Sequence, residues 1–273
     1  MFWKRLFRVK SSVLALVILL VILFSAIFAP LLAPFDPIDQ NLALRREVPS
    51  KECPLGRDPF GRDILSRILY GGRLTILVAM IGASISTFFG TLLGVYAAYY
   101  GGKVSTIIMR SVDVILSFPY FLLAILIVAV TGPGLDKAVI ATAIAAIPRA
   151  TRIIRGAALS IVNSEYIESA KAIGASNLRI ITHHILNNVT ATIIVFFTLQ
   201  LSQVILSVAA LSFLGLGAQP PMPEWGLMLN ESKGYLMIAP HMSLIPGVFI
   251  MLFVLAANLL GDGLRDVLDP KLR

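Results

Sequence analysis

The stretch SEYIESAKAIGASNLRIITHHILNN, Ser164 to Asn188, decides how the rest of the chain is read. It is a polar, helix-forming insert between two apolar runs. Such a segment cannot lie in hydrocarbon, so it must stand in water where another molecule can grip it. Ser164 is placed to cap a helix over 165–173, and Gly174 to end it. Glu168 and Lys171, at i,i+3, support that helix weakly, and Tyr166, Ala170 and Ile173 share a face. A second helix, from about Asn177 to Asn188, leads into the next apolar run. A small apolar face with charged flanks suits a groove on a partner; a solvated connecting loop is the plainer reading of the same composition.

The apolar runs on either side define the class. Of 273 residues, 57% are apolar and 14% charged, with mean hydropathy +0.86, whereas a soluble domain carries about 25% charged residues. Runs near the roughly 20 residues needed to cross a bilayer make this an all-α integral membrane protein; they are too continuously apolar for barrel strands. Six transmembrane helices fit best, at about 11–34, 74–98, 105–131, 137–156, 189–214 and 242–261. The first reads as an uncleaved span, since its apolar run exceeds the 7–15 residues of a secretory signal. The fourth has a short apolar core, Ala138–Ile147, that ends at Pro148 before Arg149, Arg152 and Arg155, read as the cytosolic end of the same helix. The chain divides into 1–73, a first span with an extracytoplasmic loop, and 74–273, a five-helix core with a cytosolic loop at about 157–188.

Charge supports an N-terminus and a C-terminus in the cytosol. In that topology the inner segments, beginning with Lys4, Arg5 and Arg8 and ending with Lys271 and Arg273, hold fourteen basic residues against six acids, and the outer segments hold nine of each. The net charge of +8 and pI near 9.8 come from residues flanking spans rather than from one basic stripe, which argues against nucleic acid. A single cysteine, Cys53, excludes an internal disulfide, and His183, His184 and His241 do not form a metal set.

In the outer loop at 35–73, Asp58 is expected to cap a helix that starts at Pro59 and ends at Gly71. Ile64, Leu65, Ile68 and Leu69 fall on one face, with Arg62, Asp63 and Arg67 elsewhere. The helix lies on the outer membrane surface or packs on neighbouring spans. Gly82, Ser86, Gly90 and Gly94 form a flat stripe for close helix approach. Gln200, Gln203 and Ser207 share a face of the fifth span, which must meet protein or water; a translocation pathway and interhelical bonding both account for it. Pro119, Pro148 and Pro246 can bend their helices. Arg110 and Asp113 are spaced to pair. No acid lies in the middle of a span, which disfavours an ion-coupled carrier. There is no phosphate-binding G-x-x-x-x-G-K-[ST] loop and no G-x-S-x-G elbow, so no catalytic residues are assigned.

Glu168-Ser169-Ala170, then Gly174 and Ile185, resembles the E-A-A-x-x-x-G loop of ABC-importer membrane subunits. PLGRDPFGRDILSRILYGGR (54–73), LSFLGLGAQPPMPEWGLMLNES (211–232) and NLLGDGLRDVLDPKLR (258–273) resemble the C-type permease of the dipeptide, oligopeptide and nickel importers. Ser169 replaces the first alanine. Asn187 stands where that family has proline, which leaves open whether the second helix breaks from span five. The resemblance implies a type I-like permease fold in a prokaryotic cytoplasmic (inner) membrane. It implies a second homologous permease, two ATP-binding-cassette ATPases that hold ATP and Mg, and an extracytoplasmic solute-binding protein facing 211–240. Glu165, Glu168, Ser169, Ala170, Gly174 and Ile185 would form the ATPase-coupling loop, with no cofactor on this chain. The solute would be a di- or oligopeptide or a related small molecule. An ATPase-independent channel or ion-coupled carrier is the rival reading.

Overall fold

The computed structural model describes residues 10–268; Lys4, Arg5, Arg8, Asp269, Lys271 and Arg273 lie outside them. The described residues are helical, with no strand beyond an isolated bridge between Arg57 and Asp63. The order is α1 (Lys10–Ile27), α2 (Ala29–Leu32), α3 (Ile64–Tyr100), α4 (Gly102–Leu116), α5 (Tyr120–Thr131), α6 (Leu135–Val162), α7 (Glu165–Ala172) and α8 (Asn177–Arg179). A π-helical turn, Ile180–Ile185, then joins α8 to α9 (Leu186–Phe213), followed by α10 (Trp225–Ser232) and α11 (His241–Leu268).

Four segments are long and apolar enough to cross a membrane: α1, α3, Asn177–Phe213 and α11. The expected third span is two helices, α4 and α5, that meet at 86° and make a fifth crossing only if taken together. Pro119 stands at the break with φ −56° and has no N–H to continue the ladder. The expected fourth span, α6, falls short on composition, because Asp136, Lys137, Arg149, Arg152 and Arg155 interrupt it. It lies against α3, α5 and α9 with alanines and threonines buried along its length. A helix so covered by protein has no need to be apolar all round.

The most extensive helix pairing is α3 against α6. Its cause is the small-residue stripe. A Cβ on Gly90 would stand 2.2 Å from the Cβ of Ala150, and one on Gly94 2.8 Å from the carbonyl oxygen of Thr151. The backbones touch, which only glycine permits.

At the end of the bundle where α3 begins, the loop behaves differently from expectation. The helix does not run from Pro59 to Gly71. It starts at Ile64, capped by Asp63 through the Ser66 N–H at 2.7 Å, and continues through Gly71 to Tyr100. Asp58 instead closes a tight turn, accepting from the N–H groups of Phe60 and Arg62. Arg62 and Arg67 do not face solvent. Arg62 Nε donates to Asp58 at 2.5 Å, and its Nη2 to Glu231 of α10 at 2.6 Å. Arg67 shares the same Glu231 oxygen at 3.1 Å and donates to the carbonyls of Pro37, Pro221 and Met222. Side-chain exposure is 8% or less throughout this set. Trp225 Nε1 donates to the Ile68 carbonyl at 3.0 Å, and Glu224 caps α10 through the N–H groups of Gly226 and Leu227. Burial pushes the Glu224 carboxyl up, against those two N–H donors and the Ser212 hydroxyl.

Removing one member of a buried pair leaves its partner's charge stranded. Glu231→Ala, which leaves Asp58 as the one carboxylate for two buried guanidinium groups, is expected to cost about 3–5 kcal/mol. The measurement is thermal unfolding in detergent; a Tm equal to that of the parent would show that the arginines find water instead.

Candidate functional site

Two features stand out: the polar elbow between α6 and α9, and a cavity between helices whose wall carries several polar side chains.

In the elbow, α7 is closed by a full Schellman end. Gly174 adopts φ +82°, its N–H bonds to the Lys171 carbonyl and the Ala175 N–H to the Ala170 carbonyl, both at 3.0 Å. The start differs from expectation. Ser164 has extended backbone suited to a cap, yet its hydroxyl donates back to the Ile161 carbonyl at 2.6 Å. The first turn is stabilised instead by the negative charges of Glu165 and Glu168.

The face assigned to Tyr166, Ala170 and Ile173 is split. Ala170 is buried, whereas Tyr166 is 55% and Ile173 87% exposed. Ile167 supplies the inward contact, and with Ile180 and Ile185 it packs on Val95 and Ala98 of α3 and Ile154 and Ala158 of α6. Of the six expected coupling residues, Ala170 and Ile185 therefore face the bundle, and Glu165, Glu168, Ser169 and Gly174 face outward. Ile180 and Ile185 are five residues apart, a spacing that a π turn closes, and the Leu186 N–H reaches the Ile181 carbonyl. No break separates the second helix from α9. Asn187 Nδ2 donates to the His183 carbonyl at 2.9 Å and Asn188 Nδ2 to that of His184 at 2.6 Å, so side chains satisfy the wide turn. The Tyr166 hydroxyl and His184 Nδ1, 2.5 Å apart, tie α7 to that turn, and Tyr99 donates to Asn177 at 2.7 Å.

The cavity, about 160 Å³, lies between α4, α5, α6 and α9. Leu116, Tyr120, Ala145, Ala146, Arg149, Gln200 and Gln203 line it. Gln200 is 3% exposed, and its Nε2 has no partner among the described residues. Gln203 and Gln200 share the wall as their spacing requires. Ser207 stands behind the wall; its hydroxyl donates to the Gln203 carbonyl at 2.8 Å and lies beside the hydroxyl of the lining residue Tyr120. The expected pair Arg110–Asp113 does not form: Asp113 accepts from Arg152 of α6 at 2.5 Å. The larger grooves, 440 to 690 Å³, are lined chiefly by aliphatic and aromatic side chains, as suits a surface facing lipid or another apolar helix. The described residues contain no cluster of His, Cys, Asp and Glu able to hold a metal.

The chain as a whole is similar to known membrane proteins. The sequence pattern described as "binding-protein-dependent transport system inner membrane component" matches residues 90–273, and the N-terminal transmembrane domain of oligopeptide transport permease C matches residues 1–49. The glutathione transport system permease protein GsiD of Pectobacterium atrosepticum is 45% identical over 273 residues, all of this chain and 91% of that protein. The dipeptide transport system permease protein DppC of Alkalihalophilus pseudofirmus is 49% identical over 235 residues, 86% of this chain and 77% of that one. Among solved structures, an inward-facing form of the MetNI methionine ABC transporter aligns with TM-score 0.61 at 19% identity, over 74% of this chain and 97% of that chain. That likeness is one of fold.

The closing turn of α7 can be tested directly. A β-branched residue at φ +82° costs about 1–2 kcal/mol, while asparagine tolerates that conformation. In Gly174→Val the Ala175 amide is expected to exchange with solvent about tenfold faster than in the parent, and in Gly174→Asn nearly as slowly. Equal protection in the valine variant would count against the glycine-dependent cap.

Proposed function

This chain belongs to the family of inner-membrane components of binding-protein-dependent transport systems, and from that premise we propose that it is the C-type permease of an ATP-driven importer of di- or oligopeptides or related small solutes. The relatives are named for glutathione and for dipeptides; both solutes are short amide-linked chains with carboxylate ends, which supports that substrate class.

The observation that carries the mechanism is the continuity of the helical segment Asn177–Phe213. Its first turns belong to the elbow, and its middle turns supply Gln200 and Gln203 to the cavity. An ATPase that grips the elbow therefore acts on the cavity wall through one helix. Glu165, Glu168, Tyr166 and Ile173 form the exposed docking surface, with Ser169 and Gly174 beside them, while Ala170 and Ile185 hold the elbow to the bundle. This chain performs no hydrolysis; two separate ATPases hold ATP and Mg. A second homologous permease completes the pathway, and a solute-binding protein meets the end of the bundle formed by 54–73 and 211–240. The elbow and both termini face the cytosol, and α6 crosses the membrane as a sixth span.

Two measurements test this. Glu168→Lys reverses charge on the docking surface and is expected to lower recovery of the ATPases with the tagged permease at least several-fold; normal recovery would remove Glu168 from the contact. Gln203→Cys, in a background where Cys53 is serine, is expected to react with a membrane-impermeant thiol reagent in the purified complex. Complete resistance to the reagent would make the amide face a structural one.

A further inference from the structure

Three arginines follow one another on α6, and the structure treats them differently. Arg152 pairs with Asp113, and Arg155 donates to the Ser105 hydroxyl at 3.2 Å. Arg149 has no carboxylate and no hydrogen-bond partner among the described residues; it borders the cavity. Arg149 is exposed, and a guanidinium that is accessible and has no protein counter-charge is free to take an anion.

The other lining groups agree. Gln200 offers a buried amide N–H₂ that finds no acceptor. The Tyr120 hydroxyl makes a long contact, 3.4 Å, to the Thr142 carbonyl and also lies beside the Ser207 hydroxyl. No acid lines the cavity. The wall thus presents amide and hydroxyl donors beside one positive charge and no negative one, which fits an anion with several acceptor lone pairs. A guanidinium matches a planar carboxylate through two parallel hydrogen bonds. The volume, about 160 Å³, is close to that of a protein cavity able to hold benzene, about 150 Å³. It takes a carboxylate with its α-substituent and leaves the rest of a peptide outside.

We propose that Arg149, with Gln200 and Tyr120, forms a carboxylate-binding subsite that engages the free C-terminal end of a peptide passing through the bundle. The proposal rests on the peptide-permease reading above. It adds that the permease itself, and not only the solute-binding protein, recognises one end of the solute. Arg149 holds the carboxylate in register while Gln200 Nε2 donates a third hydrogen bond.

The test uses the purified permease–ATPase complex without solute-binding protein, so that only the bundle discriminates. Leu116→Cys, in the Cys53→Ser background, places a thiol on the cavity wall without removing a polar group. Millimolar alanyl-alanine is expected to slow its labelling by a water-soluble thiol reagent about tenfold, as befits charge-assisted hydrogen bonds. Alanyl-alanine amide, which lacks the carboxylate, is expected to have little effect. Adding Arg149→Gln is expected to abolish the difference between the two, and Arg149→Lys to retain part of it. Equal protection by both dipeptides, protection by neither, survival of the difference in Arg149→Gln, or a Leu116→Cys that never labels would each overturn the subsite. Gln203→Cys labelling judges the pathway reading separately, so failure of the subsite leaves that reading standing.

Discussion

The contact between α3 and α6 holds both candidate sites in place. Where Gly90 and Gly94 meet Ala150 and Thr151, there is no room for a Cβ, so the two helices are fixed at backbone distance. Lipid offers no hydrophobic drive for helices to associate, and close packing must supply it. From this seam α6 projects Arg149 to the cavity and, at its far end, Ile154 and Ala158 to the elbow. On the α3 side, Val95 and Ala98 receive the same elbow residues. A wider seam would leave Ile167, Ile180 and Ile185 without a floor and would let the cavity wall drift.

The other end of the bundle is secured by charge rather than by shape. Arg62 and Arg67 share Glu231 and Asp58 with almost no solvent contact. Such a set is weak evidence for net stability, because desolvating four charges offsets much of their attraction. Its value lies in geometry. Two guanidinium forks and three backbone carbonyls from 37, 221 and 222 admit one arrangement of three segments distant in sequence. The long loops on either side of α3 and α10 are thereby joined into a single cap, against which the solute-binding protein of the proposed complex would press.

The helical, membrane-embedded character, the stripe on α3 and the elbow's helix–glycine–helix form were all readable from residue order, because each depends on local composition and spacing. Tertiary context decided the rest. Arg62 and Arg67 look like a solvated face until Glu231, 164 residues or more away, is brought beside them. Asp113 has an arginine three residues upstream, yet it turns to Arg152 across the helix interface. Pro119 signalled a bend but not its 86° extent. The π turn left no trace in the pattern, because Ile185 follows Ile181 at four residues as well as Ile180 at five and so fits an α-helical repeat. Residue order does not distinguish Arg149 from Arg152 and Arg155; the partners of the last two and the cavity beside the first separate the three.

The side chain at position 187 has a mechanical consequence. Proline would remove a ladder hydrogen bond and open a hinge between elbow and span. Here asparagine donates its own side-chain hydrogen bond to the His183 carbonyl and leaves the ladder running through a π turn. The segment from Asn177 to Gln203, about 39 Å long at 1.5 Å per residue, is therefore one continuous helical rod with a single wide turn near its base. Packed helices slide between discrete arrangements rather than bending continuously. In the proposed importer, a displacement of the elbow by the ATPases would reach Gln200 and Gln203 along this rod, while Arg149 stands on the neighbouring helix α6. The polar wall contributed by α9 and the charge contributed by α6 would shift relative to one another, and a solute gripped by both would be held in one state and released in the other.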